Sequence, residues 1–163
     1  MGARFEYAQA EEIRDAFARH GVRYLFLGKS GAILLGYPDT TQDADLFVEK
    51  SDENGRAVME ALVDAGFPLS GTQADEIHRG KHFMQIRSGP FDLDLVFAPD
   101  GIESFEDAWQ RRVETDGFLV CHPDDIIASK EAANLVKARE SLPRLRAFRD
   151  YRKQQGSHGP ASG

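Results

Sequence analysis

The chain has 163 residues, with 41% hydrophobic and 29% charged side chains, which is enough for one domain with a proper core and ordinary for a soluble globular protein. No apolar run is long enough to span a bilayer, and the only cysteine, Cys121, excludes an intrachain disulfide. A formal net charge of −7 argues against indiscriminate nucleic-acid binding, and the opening M-G-A-R-F-E-Y lacks the apolar core of a signal peptide, so the expectation is a cytoplasmic protein. One domain is expected over 1–153, with a Gly/Ser/Pro-rich tail, 154–163, expected to be disordered.

Residues 8–20 predict a helix with Ile13, Ala16 and Phe17 on one face and Gly21 as its stop. V-R-Y-L-F-L, 22–27, predicts a buried strand. Ser30 is a candidate cap for a short helix over 31–36, which Gly36-Tyr37-Pro38-Asp39 ends as a turn. A second strand follows over 43–49. Ser51-Asp52-Glu53 opens a helix whose stripe is Val58, Ala61, Leu62 and Ala65, ended by Gly66. Residues 67–70 predict a short strand, and the polar stretch 71–81 an exposed loop. Residues 82–87 and 91–97, separated by Ser88-Gly89-Pro90, predict an antiparallel hairpin. A helix over 105–112 carries Trp109, a strand covers 117–121, and His122-Pro123-Asp124-Asp125 opens the next helix. The last predicted helix runs over 142–151. This order predicts an α/β (α+β) fold, a mixed β-sheet flanked by helices with a helical C-terminus.

The stretch 25–48 carries the chemistry. On a strand, residues two apart share a face, so Asp43 and Asp45 stand side by side while Ala44 and Leu46 alternate around them. Paired carboxylates repel and lose solvation when covered, and Mg²⁺, a hard cation held by carboxylates and substrate phosphates, relieves both problems. Gly28-Lys29-Ser30 offers backbone N–H groups and a hydroxyl to phosphate. Ser30 is either a cap or a phosphate ligand, and Lys29 either contacts phosphate or points to solvent. The element is not a P-loop, because Arg23 stands where the first glycine of that motif would be. In the second hairpin strand Asp92 and Asp94 share a face, which half-exposure alone would explain. The five histidines show no metal-ligand spacing; His82 heads the hairpin and reads as surface, with a place facing the cleft as the alternative. Cys121 and His122 point oppositely if adjacent on a strand, which disfavours a thiol nucleophile.

Leu27-Gly28-Lys29-Ser30 followed by Thr41-Gln42-Asp43-Ala44-Asp45-Leu46 resembles the signature of the nucleotidyltransferase superfamily, a Gly-Gly or Gly-Ser turn and then Asp-x-Asp on the next strand. With the Gly36-Tyr37-Pro38 lead-in, the chain is similar to the minimal bacterial members related to AbiEii-type toxins. Asp94-Leu95-Val96-Phe97 resembles the third acidic strand of that superfamily, and Ile126-Ile127-Ala128-Ser129-Lys130 its lysine-bearing helix.

The resemblance implies a nucleotidyltransferase-like core and transfer of a nucleoside monophosphate from an NTP to a hydroxyl on tRNA or another RNA, a protein or a small molecule. Asp43, Asp45 and Asp94 would be catalytic and would hold Mg²⁺, two ions in the usual scheme; Gly28, Lys29, Ser30 and Lys130 would bind the nucleotide. A structural ion pair is the alternative for Lys130. A toxin would have an antitoxin protein as partner. The segment 137–153 carries a charge of +5 against −12 for the remainder, either a solvated basic face or a docking strip for RNA. Departures from the superfamily pattern are Lys29 for a second glycine, Leu135 for an arginine, Ala138 for an aspartate and Asp39 for a basic residue. The missing arginine and aspartate, at Leu135 and Ala138, motivate the alternative of a non-catalytic relative that binds nucleotide or a partner protein. A phosphodiesterase or nuclease is a third possibility, disfavoured by the lack of a His/Asp cluster.

Overall fold

The computed structural model describes residues 5–133 and 136–157. Seven helices and six strands follow one another among these residues: α1 (Tyr7–Arg19), β1 (Tyr24–Leu27), α2 (Gly28–Leu34), β2 (Asp43–Val48), α3 (Asp52–Asp64), α4 (Gly71–Arg79), β3 (Phe83–Ile86), β4 (Asp92–Val96), α5 (Phe105–Arg111), β5 (Val113–Thr115), β6 (Phe118–Val120), α6 (Pro123–Ala133) and α7 (Val136–Ser157). The strands form one mixed sheet in the order β3-β4-β2-β1-β6-β5. The expected mixed sheet with flanking helices and a helical C-terminus is what the chain forms. None of the described helices is long and apolar enough to cross a membrane.

Burial explains the arrangement. All four residues of β1 are buried, as a central strand requires, and Ala44, Leu46, Leu93 and Leu95 are wholly covered on the apolar side of β2 and β4. α1 closes over the sheet with Ala10, Ile13, Ala16 and Phe17 at 3.6-residue spacing. Phe17 meets Tyr24 edge to face, and Phe26 meets Phe118 likewise.

Several expectations are corrected. Residues 67–70 form no strand. The stretch 71–81, expected as an exposed loop, contains α4: Ser70 and Gln73 cap it reciprocally, at 3.1 and 2.9 Å, Gly80 ends it in the left-handed region, and Ile77 buries its apolar face. β5 was not expected at all. Asp116 and Gly117, with φ of 51° and 79°, make the two-residue turn that returns β5 onto β6, with Thr115 opposite Phe118. The last helix starts before Leu142 and continues past Gln154 to Ser157, so 154–157 are helical; 158–163 lie outside the described residues. Leu135 is outside them too, as are the side chains of Lys137, Ala138 and Arg139.

One buried polar side chain ties the strand ends together. Asn54, on the first turn of α3, accepts from the Arg23 N–H at 2.8 Å and donates to the carbonyls of Arg23 and Glu49 at 3.0 and 2.8 Å. Removing it takes the partner from the Arg23 N–H and from one bond to the Glu49 carbonyl, while the Arg23 carbonyl keeps its bond from the Glu49 N–H at 3.2 Å. Asn54→Ala is expected to lower the unfolding free energy by about 1–3 kcal/mol in urea denaturation, and a loss below about 0.5 kcal/mol would mean that water replaces these bonds.

Candidate active site

Strand register assembles the acids. β2 and β4 are parallel neighbours with Asp43 opposite Asp92 and Asp45 opposite Asp94. Four carboxylates therefore share one face of two adjacent strands. On the far side of β2, β1 runs antiparallel with Leu27 opposite Asp45, so the chain leaves β1 for α2 at the level of that acid.

The β1–α2 turn is shaped around Asp45. Gly28 has φ of +62°, and a Cβ there would stand 2.1 Å from Asp45 Oδ2. The turn thus needs glycine twice, for its backbone conformation and for room. Ser30, expected as a cap or a phosphate ligand, is not the cap. It lies inside α2, which is capped from Leu27, and it is fully buried. Its hydroxyl donates to the Leu27 carbonyl at 2.9 Å and accepts from the Asp45 N–H at 3.0 Å. Ser30 pins the turn to β2 and fixes where Asp45 sits. Lys29 points away from the acids, to Asp39 at 3.4 Å, and Arg144 approaches the same carboxylate at 3.7 Å.

A cavity of about 430 Å³ opens beside Asp45, lined by Gly28, Phe83, Val96 and Lys130 among others. Of the predicted residues, Gly28, Asp45 and Lys130 line it, while Asp43 and Asp94 adjoin Asp45 in the sheet. His82, expected at the surface, is exposed and also lines this cavity. The helix bearing Lys130 is held by the buried Asp125, which receives two hydrogen bonds from Arg111, at 2.9 and 3.0 Å. A separate concavity of about 320 Å³, lined by residues such as His20, Arg23 and Glu49, lies at the opposite end of the β1–β2 pair and gathers none of these acids.

Arg87 was not singled out in the sequence. Its Nη1 is 3.0 Å from Asp43 and 3.1 Å from Asp92, and its Nη2 is 3.9 Å from Asp94 Oδ1. The only available signal was hairpin register: Ile86 pairs with Leu93, so the next residue meets the acidic end of β4. Asp94 is buried, and its Oδ1 has no hydrogen-bond partner. Burial, then the charge of Asp94, hold the Asp45 carboxyl well above the usual carboxylate range; a hydrogen bond from Asp45 to Asp94 and the Asp43 charge add to this, and Lys130 opposes it. Asp94 is raised as well, chiefly by burial, with Asp43 and Asp92 adding and Arg87 and the Asp45 hydrogen bond opposing.

Among the described residues, no group of three or more His, Cys, Asp or Glu side chains is gathered in an arrangement ready to hold a metal ion. The donor chemistry nevertheless fits a hard divalent cation: the acids offer only oxygen, one buried oxygen is unpartnered, and Asp45 is disfavoured as an anion until positive charge arrives. Cys121 is buried and its thiol is pushed up by burial, so it is no nucleophile.

The described arginines of the basic segment find partners within the molecule. Arg146 pairs with Glu131 at 3.2 Å, Arg149 with Asp150 at 3.1 Å and Asp124 at 3.5 Å, Arg144 donates to the Pro38 carbonyl, and Arg152 donates to that of Leu35.

No protein-family model matches the chain, and no curated protein matches it.

The raised Asp45 carboxyl has a signed consequence. Above the ordinary carboxylate pKa of about 3.9 the unfolded chain has lost a proton that folded Asp45 retains, so stability falls as pH rises through the folded value. Asp45→Asn removes that loss. In metal-free buffer the variant is expected to melt above the wild type at pH 7, by about 2–4 °C for each kcal/mol relieved, with the gap closing toward pH 4. A variant that melts lower at pH 7 would show that ionised Asp45 stabilises the fold.

Proposed function

We propose that the chain is a Mg²⁺-dependent nucleotidyltransferase that moves a nucleoside monophosphate from an NTP to a hydroxyl acceptor. The observation that carries this reading is the register of Asp45 with Asp94 beneath Gly28, at the edge of a cavity that Lys130 also lines. Asp45 and Asp94, with Asp43 beside them, would hold Mg²⁺, which supplies charge neutralisation to the triphosphate and acidity to an attacking hydroxyl. Gly28 leaves the backbone open for close approach of phosphate. Lys130 brings a positive charge to the cavity wall, suited to a phosphate oxygen. The apolar lining from Phe83, Val96 and Pro99 suits the less polar part of a nucleotide. Catalysis of this kind is mainly positioning and charge stabilisation, which rigid strands provide.

The acceptor on this reading is RNA, a protein or a small hydroxyl compound, and a toxin held by an antitoxin protein is its most concrete biological form. The internal pairing of Arg144, Arg146, Arg149 and Arg152 weakens the case for the last helix as an RNA strip. A second reading, a binding protein without transfer, is favoured by Arg87, whose guanidinium already neutralises Asp43 and Asp92.

Thermal stability with each of the four NTPs, with and without Mg²⁺, separates the two. A ligand at one hundred times its dissociation constant stabilises by about 2.7 kcal/mol. A Mg²⁺-dependent shift in the wild type that Asp43→Asn/Asp45→Asn lacks, followed by pyrophosphate release with a labelled acceptor, is the expected outcome. Asp94→Asn is expected to lower the transfer rate about 100- to 1,000-fold while Asp92→Asn retains most of it. The reverse ranking would make Asp92 the third carboxylate, and nucleotide binding without pyrophosphate release would favour the binding protein.

A further inference from the structure

We propose that Arg87 is the resident counter-ion of the acid cluster, and that a divalent cation binding at Asp45 and Asp94 displaces it. This rests on the metal site argued above and adds a moving part that the site's chemistry does not by itself require.

The geometry points to a placeholder rather than a fixed ion pair. One guanidinium serves three carboxylates: Nη1 is shared between Asp43 and Asp92, at 3.0 and 3.1 Å, and Nη2 stops 3.9 Å short of Asp94 Oδ1. The contact to Asp43 is a hydrogen bond; the approach to Asp94 is too long for one, and that buried oxygen stays unpartnered. A strong arginine–carboxylate pair is bidentate on one carboxylate, and Arg87 makes none. Its side chain is 44% exposed and sits just past the end of β3, so it can swing to solvent without disturbing the sheet.

A divalent cation satisfies the same acids better. It carries twice the charge in a smaller volume and can bond the Asp94 oxygen directly. It also reaches Asp45, which stands directly opposite Asp94 in the sheet. A cation on the Asp94 oxygen competes with the Arg87 guanidinium for the same carboxylate charge, and like charges a few ångströms apart in a partly buried site repel. Arg87 therefore leaves as the metal enters. It keeps the metal-free sheet from being pushed apart, and it weakens metal binding by the free energy of its own displaced contacts.

The test is a Mn²⁺ titration of the full chain, followed by the electron paramagnetic resonance signal of free Mn²⁺, beside melting curves in chelator. Arg87→Gln is expected to bind Mn²⁺ about tenfold more tightly than the wild type, with Arg87→Lys in between. Metal-free Arg87→Gln is expected to melt below the wild type and to gain more in Tm on saturation with Mn²⁺. Asp45→Asn/Asp94→Asn is expected to lose binding. Wild-type binding with an affinity that Arg87→Gln leaves unchanged or weakens would overturn the displacement and leave the metal site standing. An absence of Mn²⁺ binding in wild type and Arg87→Gln alike would overturn both.

Discussion

Parallel pairing of β2 with β4 is the constraint from which the rest of the site follows. In this register Asp43 faces Asp92 and Asp45 faces Asp94, on strands less than 5 Å apart by ordinary sheet geometry. Like charges directly opposite one another destabilise a sheet. Here the arrangement occurs twice in succession, and it persists because the opposite face of the same strands is wholly apolar. A slip of one residue would turn Ala44, Leu46, Leu93 and Leu95 to the open face, so the buried side dictates where the acids stand. The core holds the charges together, and two cationic neighbours make that tolerable: Arg87 at the outer end and Lys130 on the wall of the cavity beside Asp45.

The next layer orients the cluster toward the cavity. Asp45 lies against a glycine that has no Cβ to push it aside, and its backbone is tied through Ser30 to the end of β1. Ser30 is thus structural in a way that motif resemblance alone does not distinguish from phosphate binding. The exposed side of β3 carries Phe83 and Gln85, so the acid face stays uncovered toward that edge. The unpartnered Asp94 oxygen and the raised Asp45 carboxyl are features that a domain selected for stability alone would lose.

Much of this was legible in the sequence where a single element carries its own signal. The Asp-x-Asp alternation, the apolar run before Gly28 and the hairpin around Ser88-Gly89-Pro90 all read correctly, because period-2 patterning and turn residues act locally. Two local signals were present but passed over. Ser70-x-x-Gln73 ahead of Ile77 and Gly80 is a capping box with a stop, obscured by a polar helix surface. Asp116-Gly117 is a strong hairpin signal, obscured by the shortness of the strands it joins. Arg87 was not legible in the same way. Its meaning depends on β3 pairing with β4 and β4 with β2, two long-range registers that no local pattern states. The partner of Lys29 was not legible for a related reason: beside Gly28 it reads either as a phosphate contact or as a solvent-facing side chain, and its pairing with Asp39, ten residues on, is a tertiary contact.

The arginines of α7 show the same principle at larger scale. A surplus of five positive charges over 137–153 reads as a surface property, and a polyanion is the natural partner to infer. In the fold, Arg152 and Arg144 reach back to the carbonyls of Leu35 and Pro38 at the end of α2, while Arg146 and Arg149 hold carboxylates on α6. Those two helices are the ones that present Gly28 and Lys130. Tyr37 against Phe148 adds an aromatic contact between the α2 turn and α7, and Arg144 lies over the Tyr37 ring. The last helix therefore acts as a clasp across the back of the site, and its charge is the means of attachment. Half-exposed pairs of this kind contribute little singly, but carbonyl acceptors at a helix end need donors, and arginine supplies several from one side chain. The chain's positive charge thus serves its interior twice, at Arg87 among the acids and along α7 behind them.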